Sequence, residues 1–174
     1  MRQMRISLII AGLIMCFRMT GQEVKWYTFE QAIELNKKEP RKIIVDVFTD
    51  WCGYCKLMDK NTFSNPIIAN YLNTTFYPVK FNAEQKETIK IDTSTFKYID
   101  QGGRGYHELA VALLNGQMSY PSIVFLNEKN QIFYINKGYC EPKQFDEILK
   151  FLGGGFYLNS KWESWKADYK SPFN

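Results

Sequence analysis

The sequence predicts an α/β sandwich, a central mixed or parallel sheet covered by helices on both faces. Three observations predict it. Residues 42–48 form a near-continuous apolar run rich in Ile43, Ile44, Val45 and Val47, the pattern of a strand buried on both faces. Helical and strand-like segments alternate through the first two thirds of the chain. Two short strands over 122–135, joined by a turn, then read as a β-hairpin followed by one more amphipathic helix. A chain of 174 residues suits one core of this kind, and no internal repeat is visible.

The elements follow in order. Residues 23–27 are a polar and aromatic lead-in. Thr28 opens a helix, with Gln31 completing a capping box and Phe29, Ala32 and Ile33 on its apolar face. Pro40 stops it, because proline disfavours helical geometry in the residue before it. After the 42–48 strand comes Trp51-Cys52-Gly53-Tyr54-Cys55, then a helical stretch over 56–61. Asn65-Pro66 is an N-cap followed by proline at the first helical position, with Ile67, Ile68, Tyr71 and Leu72 spaced for one buried face.

The next strand covers 75–81, and Pro78 within it argues for a sheet edge or a bulge. Residues 83–105 read as a charged surface connection ending in the flexible Gln101-Gly102-Gly103-Arg104-Gly105. Residues 106–114 read as a helix ended by Asn115-Gly116. On it His107, the only histidine, is expected at the surface. Glu141-Pro142 opens the last large helix, with Phe145, Ile148, Leu149 and Leu152 inward. Gly153-Gly154-Gly155 reads as a hinge or linker. Ser160 and Glu163 read as a capping box before a short aromatic helix carrying Trp162, Trp165 and Tyr169, whose aromatic residues are expected to serve packing.

The beginning of the chain reads as a targeting segment. Arg2 and Arg5 precede an apolar run over 6–17, too short for an ordinary transmembrane helix and of the length of a secretory signal peptide. Arg18 and Met19 make the cleavage region irregular, so an uncleaved N-terminal anchor is the rival expectation. Cys16 lacks the small preceding residue of a lipidated cysteine and reads as part of the apolar run. The formal charge of +4 falls to about +1 once Arg2, Arg5 and Arg18 are set aside. Nothing in that balance calls for a nucleic acid or an anionic membrane as partner.

Setting Cys16 aside leaves Cys52, Cys55 and Cys140, a poor disulfide framework but a good redox pair with one single thiol. Cys52 is expected to be exposed at the first residue of a helix, where the helix N-terminus stabilises a thiolate. Cys55 lies one turn further on, so the two sulfurs can join. In that reading Cys52 attacks a substrate disulfide and Cys55 resolves the mixed disulfide. Asp46 breaks the apolar strand. A carboxylate there must be neutral or paired, and burial raises its pKa. It is either the proton acceptor for Cys55 or a structural acid. Cys140 reads as a buried free thiol.

The stretch Ile44-Val45-Asp46-Val47-Phe48-Thr49-Asp50-Trp51-Cys52-Gly53-Tyr54-Cys55-Lys56 resembles the active-site region of thioredoxin-fold thiol:disulfide oxidoreductases. The resemblance covers roughly residues 28–152. It is closest to the exported branch that includes the C-terminal domain of disulfide-interchange reductases. It implies a thioredoxin fold over 22–155, preceded by the signal peptide over 1–21 and followed by an aromatic helical extension over 156–174.

The resemblance also implies that Asp46 is the buried acid, that Lys80 pairs with it, and that Pro121, in Tyr120-Pro121-Ser122, is a cis-proline facing the cysteines. Trp51, Gly53, Tyr54, Tyr120 and Pro121 are then the substrate-contacting residues. The Gly53-Tyr54 dipeptide, in place of Gly-Pro, and the bulky Tyr120 depart from the common pattern and leave redox poise and substrate choice open. The implied activity is reduction or isomerisation of protein disulfides outside the cytoplasm. The implied partners are protein thiols and disulfides and a membrane or thioredoxin-type electron donor; no cofactor is called for.

Two other readings stay open on the residues alone. One is a copper-binding module using Cys52 and Cys55, with Met58 as the nearest soft extra donor; a four-ligand zinc site lacks donors. The other is a non-enzymatic interaction domain.

Overall fold

The computed structural model describes residues 22–173. The expected targeting segment, with Cys16, lies outside them. Helix α1 (Phe29–Lys38) is followed by strand β1 (Lys42–Phe48) and helix α2 (Gly53–Met58), which continues as a π-turn over Asp59–Phe63. Helix α3 (Pro66–Thr75) leads into β2 (Phe76–Asn82). Four short strands follow, β3 (Ile89–Ile91), β4 (Ser94–Phe96), β5 (Tyr98–Ile99) and β6 (Tyr106–His107), before helix α4 (Glu108–Leu113). Strands β7 (Ser122–Leu126) and β8 (Ile132–Lys137) and helix α5 (Pro142–Gly153) close the sheet, and a 3-10 turn (Phe156–Leu158) and helix α6 (Trp162–Asp168) end the described chain.

The central sheet has the order β2-β1-β7-β8, with β1 parallel to β2 and antiparallel to β7, and β7 antiparallel to β8. Strand alternation splits its side chains between two cores. Ile43, Val45 and Val47 of β1 join Phe29, Ile33, Leu109 and Leu113 from α1 and α4. Ile44, on the opposite face, joins Met58, Phe63, Ile68, Leu72, Phe145 and Leu149 from α2, the π-turn, α3 and α5. Helices therefore cover both faces. Pro78 sits on the outermost strand, where its carbonyl accepts from the Tyr27 N–H at 2.8 Å and no ladder N–H is missed. The Thr28–Gln31 capping box is formed in both directions.

Several expectations are corrected. The 83–105 segment is not a plain connection: it holds two small antiparallel ribbons, β3-β4 and β5-β6, and buries Ala83 and Ile89. The helix expected from Tyr106 begins at Glu108, because His107 still pairs with Tyr98 as β6. His107 is fully buried rather than at the surface. Its Nδ1 accepts the Leu109 N–H at 3.2 Å, which leaves Nε2–H to donate to the Glu87 carbonyl at 3.0 Å, and its ring meets the Phe81 ring. A side chain that caps a helix in this way is structural. Ile67 points outward, since Asn65 and Pro66 turn the start of α3 toward solvent.

Gly153-Gly154-Gly155 is not a linker. Gly153 ends α5 so close to Phe76 and Tyr71 that a Cβ would sit 2.9 Å from each ring system. Helix α6 is capped at Lys161 without a side-chain hydrogen bond, so the Ser160–Glu163 box does not form. Trp162 and Trp165 instead pack on Phe151, and Asp146 of α5 accepts from Tyr169 Oη at 2.8 Å and Ser171 Oγ at 2.7 Å, tying the end of the chain to the body.

Candidate active site

The turn after β1 brings the chemistry together. The Cys52 N–H donates to the Thr49 carbonyl at 3.1 Å, closing the turn that carries the chain from strand to helix. Cys52 is the N-cap of α2, and its Sγ accepts the Cys55 N–H at 3.1 Å. Cys52 and Cys55 form a disulfide with Cα atoms 5.3 Å apart. Both are buried, which corrects the expectation of an exposed Cys52: the bond to Cys55 and the Cys55 N–H draw its sulfur back over the first turn. The exposed groups are its neighbours, Trp51 at 50% and Tyr54 at 64%.

The opposite wall comes from the start of β7. The register pairs Val47 with Ser122, so residues 120–121 lie at the same end of the sheet as the Cys52 turn. The Tyr120–Pro121 bond is cis. Tyr120 meets the Trp51 ring edge-on at 5.9 Å, and burial, with a smaller contribution from Glu84, pushes its hydroxyl up to about 12. Tyr54 leans on Tyr139 at 6.2 Å. The Trp51 indole N–H donates to Glu84 at 2.9 Å, and the Arg104 guanidinium lies over the same ring at 4.5 Å.

On the face of β1 that α2 covers lies Asp46, only 2% exposed. Its Oδ2 accepts from Lys80 Nζ at 2.6 Å. This pairing follows from the parallel register, which sets Asp46 beside Lys80. Its Oδ1 has no hydrogen-bond partner. Burial raises the Asp46 carboxyl to about 6, against the opposing pull of the Lys80 ammonium and with a further push from Asp59. Asp59, on the π-turn, also binds Lys80, so one ammonium is shared by two carboxylates. The ammonium sits among the Trp26, Phe48 and Phe63 rings, at 5.2, 4.9 and 5.3 Å.

Among the described residues no three His, Cys, Asp or Glu side chains gather as a metal site. Met58, the soft donor considered for copper, is fully buried in the core. Cys140 is free and buried, held by the Asn136 amide at 3.0 Å, and burial pushes its thiol up. Among the described residues no helix is long and apolar enough to cross a membrane.

Comparison with known proteins fits this geometry. Residues 15–170 match the family model Thioredox_DsbH, described as "Protein of unknown function, DUF255". The chain belongs to this family. Its fold is the thioredoxin fold, as expected. The solution structure of a thioredoxin from Thermus thermophilus superposes with a TM-score of 0.58 at 20% identity, covering 78% of this chain and 93% of that one.

Two curated relatives of this Thioredox_DsbH member align over shorter stretches. Spermatogenesis-associated protein 20 of Rattus norvegicus is 29% identical over 84 residues, 48% of this chain and 11% of that protein. Thiol:disulfide interchange protein DsbD of Pectobacterium atrosepticum is 42% identical over 36 residues, 21% of this chain and 6% of that protein. The chain thus spans about a tenth or less of the length of the relatives it matches.

The structure brings Asp46, Lys80, Trp51, Cys52, Gly53, Tyr54, Cys55, Tyr120 and Pro121 to one end of the sheet. Asp59, Glu84 and Arg104 join them without having been anticipated. Asp59 reaches Lys80 from the first residue of the π-turn, a feature that no local residue pattern announces. Glu84 and Arg104 come from the segment read as a plain connection.

Proposed function

We propose that this protein is an exported thiol–disulfide oxidoreductase that reduces or isomerises protein disulfides through Cys52 and Cys55. The observation that carries the reading is the Cys52–Cys55 disulfide at the start of the helix that follows β1, the strand that holds a buried carboxylate with one free oxygen and a pKa raised to about 6. The N–H that meets Cys52 Sγ stabilises its thiolate after reduction. That thiolate attacks a substrate disulfide, forming a mixed disulfide and releasing one substrate thiolate. Asp46, ionised above about pH 6, takes the proton from the Cys55 thiol. Cys55 then attacks Cys52 Sγ, restoring the Cys52–Cys55 disulfide and releasing the second substrate thiolate. Two electrons have passed to the substrate, and a membrane or thioredoxin-type dithiol donor must return them.

Trp51, Gly53, Tyr54 and the half-buried Tyr120 form the surface that meets the substrate chain, and the buried Pro121 fixes the backbone beside it. Export is supported by Arg2 and Arg5 ahead of the apolar run over 6–17. In Cys55→Ala the first step proceeds and the second cannot. Incubating reduced Cys55→Ala with a disulfide-bonded protein is expected to accumulate a mixed disulfide at Cys52, seen by non-reducing electrophoresis and mapped by mass spectrometry. Absence of any adduct at Cys52 contradicts the reading.

A further inference from the structure

We propose that Arg104 is a specificity residue for this site: its guanidinium receives a carboxylate carried by the substrate polypeptide close to the cysteine under attack. The inference rests on the thiol–disulfide reading above and names the substrate class, a disulfide flanked by acidic side chains.

The residue before Cys52 is held from three sides. Glu84 takes the Trp51 indole N–H at 2.9 Å, Tyr120 meets its ring edge-on at 5.9 Å, and Arg104 covers it at 4.5 Å. Arg104 is 65% exposed, and its guanidinium makes no hydrogen bond to any described residue. Its nearest acidic atom is Glu84 Oε1, 3.7 Å from Nε, and that oxygen already serves the indole N–H. Turning Nε toward Glu84 leaves the two Nη groups for another partner. A guanidinium laid on an aromatic ring keeps its in-plane N–H donors open, and this is the fork that grips a carboxylate with two hydrogen bonds.

The loop is shaped to present that fork. Gly102 and Gly103 have φ of 75° and 149°, which side-chain-bearing residues rarely adopt. Gly105 passes so close to β5 that a Cβ would lie 2.2 Å from the Ile99 carbonyl and 2.4 Å from Tyr98 Oη. The residues on both sides of Arg104 are therefore restricted to glycine by geometry, while Arg104 turns only its Nε toward a group of the protein, the Glu84 carboxylate, and keeps both Nη groups for a partner.

The test uses the full chain in its reduced form and two peptide disulfides, identical except for Asp or Lys residues beside the cysteine. Protein dithiol and peptide disulfide give the Cys52–Cys55 disulfide and two peptide thiols, and the second-order rate constant is read at low ionic strength. The wild type is expected to react roughly fivefold faster with the acidic peptide, a preference that falls as salt screens it. In Arg104→Ala the ratio is expected to drop to one or below. Arg104→Lys, which keeps the charge and loses the fork, is expected to keep part of it. Equal wild-type rates overturn the proposal. So does an Arg104→Ala variant that slows both peptides by one factor, which would make Arg104 only a prop for Trp51. A wild type that reacts with neither peptide overturns the thiol–disulfide reading itself.

Discussion

Replacing Cys52 by serine is expected to abolish disulfide exchange, lowering the rate with a protein disulfide by about three orders of magnitude or more. A serine hydroxyl supplies no nucleophile comparable to a thiolate stabilised by the Cys55 N–H. The loss is chemical rather than structural. Closing so short a loop contributes about 2 kcal/mol to the oxidised form in the chain-entropy account. Cys52→Ser should therefore melt below the oxidised wild type and close to the reduced wild type. Residual exchange carried by Cys55 or Cys140 at more than a few per cent of the wild-type rate contradicts the assignment of Cys52 as nucleophile. Cys52 alone of the pair has its sulfur met by a helix-start N–H, and Cys140 is held by Asn136 with its thiol pushed up by burial, so neither Cys55 nor Cys140 is placed to substitute.

Asp46→Asn is expected to move activity and stability in opposite directions. In the proposed exchange the resolving step loses its proton acceptor and slows by roughly two orders of magnitude or more. Wild-type resolution should fall off below about pH 6, as Asp46 takes up its proton, and the variant should lack that limb. Stability follows from the same shift. The Asp46 carboxyl rises from 3.8 to about 6, chiefly by burial, so the folded state binds this proton more tightly than the unfolded chain. The cost of the buried charge is absent at low pH, grows as pH rises from about 4 to 6, and is complete above that.

Removing the carboxylate removes the cost, while Asp59 still neutralises Lys80. The variant is expected to be about 1–3 kcal/mol more stable than wild type at pH 7, with the difference vanishing near pH 4. Chemical denaturation at several pH values reads this directly. A variant less stable at pH 7, or a pH-independent difference, would show that the Lys80 pair outweighs the desolvation of Asp46.

Both predictions concern groups legible in the sequence. Asp46 stands out because a carboxylate interrupts an apolar run, and the run fixes β1 by its β-branched residues. Cys52 and Cys55 are legible because strand, turn and helix signals flank them. Lys80 could be paired with Asp46 by family likeness alone, since the register between β1 and β2 is not written in either strand. What escaped the sequence depends on distant packing. His107 looks like a surface residue until the β5-β6 ribbon buries it. Gly153 looks like part of a linker until Phe76 and Tyr71 close around it. Arg104 sits in a glycine-rich stretch whose flexibility is the obvious inference, yet close approach to β5 and two positive φ angles give that loop a definite shape. Periodicity reports which face of an element is apolar; it does not report which loop folds back over the site.

The most direct test of the redox assignment is an equilibrium titration of the protein in glutathione buffers, with thiol alkylation and mass readout. The account predicts one two-electron transition in which Cys52 and Cys55 together pass from two alkylated thiols to none, with a midpoint between about −270 and −180 mV. Failure to form the disulfide at any poise would contradict it. A pair that stays oxidised well below about −300 mV would contradict it too, because that is the behaviour of a structural crosslink.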